Sequence, residues 1–258
     1  MNVLITGGSS GIGKAVGEEL AKNGHVVFEM SRRDRFLPLL RHFDGDVCIS
    51  EDLENTVEKM LQAVDSIDLL IANAGFGISG SFEECSEDEI RRQFEVNVFG
   101  TINTIKAVLP AMRKQKKGRI ILVSSLAGEI PVPFQSYYSD TKACLNSFCL
   151  SLNNELRPFN ISVHAIMPGD IATEFTDVRV KRGSKIYTRM EQSVKKMEER
   201  ERNGIPANKL AKKIYRMAIQ PWRPRPLSSY GVNYSTFSVL FRLLPRRFSN
   251  WLVGKVYG

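Results

Sequence analysis

Strand-like bursts of apolar residues alternate with helix-like spacings along most of this chain. Residues 2–6 read as a strand, a glycine-rich turn follows, and helix signals run from about Lys14 to Lys22. A second strand is predicted over residues 25–30, a helix over 36–42 and a third strand over 47–50. Val57, Met60, Leu61 and Val64 mark an amphipathic helix, and residues 67–72 a fourth strand. Ser86 with Glu89 three positions on has the capping-box pattern and opens a helix through Phe94. Asn97 interrupts the helical text that continues to about Lys114, because asparagine prefers caps and turns. A bend, a functional role or a merely tolerated residue each account for it. Strands over 119–124 and 161–166 flank a helix over 136–156. Strand and helix alternating without a break predict an α/β fold, a Rossmann-type doubly wound parallel sheet with helices on both faces. The 258 residues suit one domain, residues 1–258, with a cofactor and catalytic core over 1–175.

Beyond residue 175 the pattern changes. Residues 175–205 are charged and loosely helical without a full apolar stripe, and read as a mobile lid or a solvated helix beside the substrate. Residues 206–258 form a helical, basic C-terminal extension. Within it a helix turns Leu210, Ile214 and Met217 inward, Trp222-Arg223-Pro224-Arg225-Pro226 makes a rigid crossing, and residues 229–234 suggest a last strand. Phe237, Leu240, Phe241, Leu244, Phe248, Trp251 and Leu252 then recur at helical spacing, and Pro245 divides them into two short helices. From Arg179 onward 19 Lys and Arg face 4 Asp and Glu, a net +15 against −7 for the residues before. Such a tail suits a docking surface on its own domain, a subunit interface, or a peripheral membrane contact.

Other classes are disfavoured. No stretch is long and apolar enough to span a bilayer, and the first strand begins too near Met1 to leave room for a signal peptide. A cytoplasmic protein, at most peripheral at a membrane surface, is expected. The four cysteines form no C-x-x-C pair and the three histidines are scattered, so reduced thiols and no metal site are expected. No motif points to nucleic acid.

The chemistry concentrates in Tyr138-Ser139-Asp140-Thr141-Lys142. On a helix, Tyr138 and Lys142 project from one face. An ammonium beside a phenol favours phenolate and lowers its pKa, making a group that gives a proton to a carbonyl oxygen or takes one from an alcohol. Ser125, at the end of a buried strand, is placed to hold the same substrate oxygen. Upstream, Gly7, Gly11 and Gly13 lie between a strand and a helix, where free backbone N–H groups hold a phosphate. Gly7 permits the tight turn, Gly11 the approach of a pyrophosphate and Gly13 close helix–strand packing. At the end of the second strand, where an acidic residue usually holds a ribose hydroxyl, stand Ser31, Arg32 and Arg33. These suit a 2′-phosphate, and hence NADP(H), although Glu29 would turn the same way as Ser31.

Thr6-Gly7-x-x-x-Gly11-x-Gly13, Asn73-Ala74-Gly75, Asn97, Ser125, Tyr138-x-x-x-Lys142 and Pro168-Gly169 with Thr173 together resemble the short-chain dehydrogenase/reductase family. The resemblance covers roughly residues 1–175. It implies that Tyr138 is the general acid/base, that Ser125 orients substrate, and that Lys142 holds the ribose and tunes Tyr138. It also implies that Asn97 supports a water in the proton relay. Gly7, Ser9, Ser10, Ile12, Asn73, Ala74, Gly75, Pro168, Ile171 and Thr173 would line the dinucleotide, with Gly169 at the same sheet edge. Asp52 and Leu53 would flank the adenine, with Asp46 the other candidate. Residues 127–136 and 168–171 resemble members acting on steroids, retinoids or other lipidic carbonyls. Homodimers or homotetramers are expected on the same ground. The function expected is hydride transfer between NADP(H) and a carbonyl or secondary alcohol of a small, apolar substrate. The alternatives are a catalytically silent dinucleotide sensor and a membrane- or partner-docking module.

Overall fold

Strand β1 (Asn2–Thr6) passes through the glycine-rich turn into α1 (Gly11–Lys22), and β2 (Val26–Ser31) returns parallel beside it. The computed structural model describes residues 1–221 and 223–257, the side chains of Val232 and Tyr257 excepted, so Trp222 of the predicted crossing lies outside the described residues. Next come β3 (Arg41–Asp44), α2 (Ser50–Ala63), β4 (Leu69–Ala72) and the two-residue β5 (Ile78–Ser79). Helices α3 (Glu87–Phe94) and α4 (Gly100–Lys114), β6 (Gly118–Val123), α5 (Ser136–Glu155) and β7 (Ile161–Pro168) complete the alternating part. The chain then forms β8 (Ile171–Ala172), α6 (Phe175–Val178), β9 (Val180–Lys181), α7 (Met190–Arg202) and β10 (Ile205–Pro206). Helix α8 (Ala207–Ile219), β11 (Leu227–Tyr230), α9 (Val232–Leu243) and α10 (Arg246–Tyr257) follow.

The main sheet runs β11-β7-β6-β4-β1-β2-β3 with every pair parallel. Alternation along the strands feeds two cores. Val3, Ile5, Leu69, Ile71, Ile121 and Ile166 face Val16 and Leu20 of α1 and Leu210 and Ile214 of α8. Leu4, Phe28, Leu70, Ile120 and Val163 face Val57 and Met60 of α2 and Ile105 and Val108 of α4. Because the order reverses between β1 and β4, a crevice opens at the C-terminal edge there. The Gly13 backbone closes it from behind: a Cβ on Gly13 would lie 2.3 Å from the Gly7 carbonyl oxygen.

The sequence expectation fails between β2 and α2. No helix forms over residues 36–42, where Pro38 stands mid-segment, and the third strand is Arg41–Asp44, not residues 47–50. Phe43 stacks on Phe28 with ring centroids 5.6 Å apart, and Arg41 covers the Phe28 ring at 5.2 Å. Those cross-strand contacts fix the register.

Within the charged segment 175–205 Met190 and Met197 are buried, Arg179–Glu201 (2.5 Å) and Lys181–Glu198 (2.7 Å) pair its own elements, and Arg182–Glu89 (2.5 Å) joins it to the body. The two tail helices break at Pro245 as the sequence predicts. Their inner face docks on the body, Tyr234, Phe237 and Phe241 packing on Leu126, Ile130 and Val253. Ser238 donates to Glu129 at 2.6 Å, and Arg242 pairs with the same carboxylate. Among the described residues no helix is long and apolar enough to cross a membrane.

Candidate active site

A cavity of about 620 Å³ occupies the crevice at the C-terminal sheet edge. Of the residues singled out in the sequence, Gly7, Ser9, Ser10, Gly11, Ile12, Ser31, Arg32, Arg33, Asn73, Ala74 and Gly75 line it. Ser125, Tyr138, Lys142, Pro168, Gly169, Ile171 and Thr173 line it as well. Gly13 and Asn97 stand behind the lining.

The adenine-side assignment to Asp52 and Leu53 is corrected by geometry. Both belong to α2, Leu53 is completely buried, and neither lines the cavity. Asp52 instead accepts a hydrogen bond from the Asp46 backbone N–H at 2.8 Å. Asp46 and Val47, which follow the true third strand, occupy the cavity wall. The sequence placed that strand too late, and the acidic residue moved with it.

At the same end, Arg32, Arg33 and Arg35 contribute three guanidinium groups. Arg32 stands 3.8 Å from Asp46 and is mostly exposed. Glu29 does turn toward Ser31, which donates to it at 3.3 Å, but Glu29 is buried, paired with His42 and absent from the lining. Of these cations Arg32 faces Asp46 and Arg35 pairs with Glu174 at 2.9 Å, both carboxylates lining the same cavity, while Glu29 does not reach it. Helix α1 begins after Ser10 in extended conformation and has no acidic residue in its first turn, so its free N–H groups face the cavity uncontested.

The catalytic candidates converge from two elements. Strand β6 ends at Val123, and Ser125 leads into a 3-10 turn, its hydroxyl accepting from the Ala127 N–H at 3.1 Å. Tyr138 and Lys142 lie one turn apart in α5, and Ser125 lines the same cavity. The Lys142 ammonium donates to the Val123 carbonyl at 2.9 Å and lies 5.7 Å from the Tyr138 ring centroid. Asn97 occupies a π-helical turn, Glu95–Phe99, between α3 and α4. That turn aims its buried amide at the Phe76 backbone, Oδ1 accepting at 3.0 Å and Nδ2 donating at 2.9 Å, with Thr141 Oγ1 at 3.1 Å. Of the accounts left open for Asn97, the π-helical turn disfavours a merely tolerated residue, and its side chain ties the Asn73–Phe76 loop to α5.

Electrostatics here differ from the simple ammonium–phenol picture. Burial pushes Tyr138 up to about 12, against the Ser125 hydrogen bond and the Arg179 charge, which pull it down. Burial also lowers Lys142 to about 8. Desolvation outweighs the attraction that the sequence suggested, and the phenol is protonated at neutral pH.

The sequence placed the segment from Phe175 beside the substrate but singled out no residue in it, and it did not foresee Tyr234 and Phe237. Phe175 packs on Tyr138 with centroids 5.7 Å apart, and Arg179, buried beneath the lid, covers Phe175 at 5.3 Å. Met197 and Glu201 from α7, and Tyr234 and Phe237 from α9, also line the cavity. Tyr234 lies directly on Gly169, where a Cβ would come within 2.5 Å of its ring, and donates to Asp170 at 2.6 Å. The glycine at 169 is the only visible local signal of that close approach.

The profile of the family described as short chain dehydrogenase matches residues 1–183. A 3-ketodihydrosphingosine reductase of Bacteroides thetaiotaomicron is 37% identical over 224 residues, 84% of this chain and 83% of that protein. An NADPH-dependent 1-acyldihydroxyacetone phosphate reductase of Saccharomyces cerevisiae is 30% identical over 267 residues, covering 98% of this chain and 88% of that one. A crystal structure of a short-chain dehydrogenase from Streptomyces avermitilis superposes with a TM-score of 0.85 at 26% identity, over 99% of this chain and 96% of that one.

Proposed function

The chain belongs to the short-chain dehydrogenase family, and from that membership we propose an NADP(H)-dependent reductase of ketones on lipid-derived molecules, with Tyr138 as proton donor. The observation that carries the reading is the convergence of Ser125, Tyr138 and Lys142 on the cavity wall, with Tyr138 and Lys142 one turn apart on α5. A protonated phenol is an acid, which suits carbonyl reduction at neutral pH.

The residues fit the cofactor. The cradle behind Gly7 leaves no room for a Cβ at Gly13, the α1 N-terminus offers free N–H groups, and the arginines at 32, 33 and 35 suit a 2′-phosphate. Ser9, Ser10, Gly11 and Ile12 would hold the pyrophosphate, Asp46 and Val47 the adenine side, and Lys142 the nicotinamide ribose. NADPH supplies the hydride. Ser125 orients the substrate oxygen, Tyr138 delivers a proton to it, and the Lys142 charge steadies the phenolate that remains. Asn97, through Phe76 and Thr141, holds this wall in register and supports the relay water.

Two relatives named as reductases of lipid-derived ketones support the substrate class, as does an outer wall rich in Ile130, Phe175, Val178, Met197 and Phe237. A silent sensor is disfavoured, because a sensor has no need of the complete acid–base group. Assembly as a homodimer or homotetramer and a cytoplasmic location belong to the same proposal; light scattering on the purified protein decides the first.

The test is consumption of NADPH with 3-ketodihydrosphingosine and with 1-acyldihydroxyacetone phosphate, wild type beside Tyr138→Phe. Turnover by wild type that falls by about 100-fold or more in the variant is expected. Undiminished turnover in the variant, or none in wild type that still binds NADPH, overturns the reading.

A further inference from the structure

Helix α9 has two apolar faces. Its inner face supplies Tyr234 and Phe237 to the cavity. Its outer face carries Val239, Leu240 and Leu243, the last 77% exposed. After Pro245, α10 turns Ser249 and Val253 inward and leaves Phe248 and Trp251 about half exposed, their rings stacked at 5.7 Å. Five large apolar side chains thus stand in solvent on two consecutive helices of a tail that is otherwise well docked.

Helices α9 and α10 themselves carry Arg242, Arg246, Arg247 and Lys255 and no Asp or Glu, Arg242 being paired with Glu129. Arg246 and Arg247 are exposed at the start of α10, and Lys255 lies over the Trp251 ring at 5.9 Å. A second copy meeting this face about a two-fold axis would bring cation against cation. Nucleic acid would satisfy the cations and leave the apolar stripe unmatched. An anionic lipid surface satisfies both, since Trp, Phe and Leu enter the acyl boundary while Arg and Lys meet the headgroups. Each helix has 12 residues, about 18 Å long. Neither crosses a bilayer, so both lie in its plane.

We propose that the outer face of α9 and α10 docks on an anionic lipid surface, so that one helix separates that surface from the catalytic cavity. A lipidic ketone would then reach the Phe237 wall without crossing bulk water. Only this last step rests on the substrate reading above; the docking itself does not.

The experiment uses the full chain with neither cofactor nor substrate. Vesicles of phosphatidylcholine alone, or mixed with phosphatidylglycerol, are sedimented with wild type, with Leu243→Ser/Trp251→Ser, and with Arg246→Glu/Arg247→Glu. In a Trp222→Phe background, Trp251 is the remaining tryptophan and its emission reports insertion. Wild type should sediment with anionic vesicles and not with neutral ones, with a blue shift that high salt reverses. Each double variant should bind about tenfold less or weaker still. Cooperative thermal melting of the variants shows that they fold. The proposal is overturned if wild type stays in the supernatant, or if the variants bind as wild type does. It is equally overturned if wild type self-associates through this face, the variants remaining monomeric. None of these readouts requires turnover, so failure here and failure of the reductase reading are separable.

Discussion

Tyr138 and Lys142 are moved in opposite directions by burial, and the pH dependence expected for each direction of the reaction follows from the pair. Tyr138, raised to about 12, keeps its proton through the neutral range, while Lys142, lowered to about 8, loses its charge just above it. In reduction the required forms are the phenol and the ammonium. Below about 8 both are present; above it the ammonium is lost first, and with it the support for the developing phenolate. kcat/KM for reduction should therefore be level below about 8 and fall above it. Oxidation of the corresponding alcohol should rise with pH, because the base form of Tyr138 becomes more populated. In Lys142→Met the reduction rate should drop by about 100-fold and the inflection near 8 should vanish. Rate profiles in both directions check this, and an inflection that persists without Lys142 would assign it to another group.

The lid shows how an element can be placed by contacts with no local signature. Its pairing of Arg179 with Glu201 lies beneath Phe175, which in turn packs on Tyr138. The Arg179 side chain is 1% exposed, so removing its charge leaves Glu201 with the Thr176 hydroxyl and without its cation. Arg179→Met should cost about 3–5 kcal/mol of stability and raise KM, and Arg179→Met/Glu201→Met should recover most of the loss. Urea denaturation of the four proteins closes that cycle; additive losses would show the two side chains to be independent. The same contrast separates what was legible from what was not. Strands β4 and β7 are buried along their whole length; β4 is an unbroken apolar run, and β7 is apolar but for Ser162 and His164. Asn97 was legible as a misfit, and the misfit is a π turn. Edge strand β3 was not, because four half-exposed residues owe their register to Phe43 on Phe28, a contact between strands. With the strand displaced, Asp52 and Asp46 both stood as adenine-side candidates, and of the two Asp46 lines the cavity. Arg182 and Glu89 lie 93 positions apart, beyond any periodicity.

Across the whole molecule, the tail is continuous with the active site. The sequence left three partners open for it, and the inner face of α9 meets its own domain through Tyr234 on Gly169 and the Glu129 contacts. Glu129 follows the 3-10 turn that begins at Ser125, so the carboxylate that anchors the tail lies four residues from the serine proposed to orient substrate. Tail seating and substrate binding should then move together, while the cofactor end, on the far side of the sheet's switch point, should not. Glu129→Ala removes the acceptor for Ser238 and the partner of Arg242, and is expected to cost about 2 kcal/mol. It should raise KM for an apolar ketone several-fold, leave NADPH affinity within about twofold, and expose the Pro245 turn to limited proteolysis. Calorimetry of NADPH binding beside steady-state kinetics separates the two ends of the cavity. A variant that loses NADPH affinity as much as substrate affinity would show that the tail supports the whole crevice. Selective loss would make α9 a substrate wall, held in place by one glutamate and open to whatever lies beyond it.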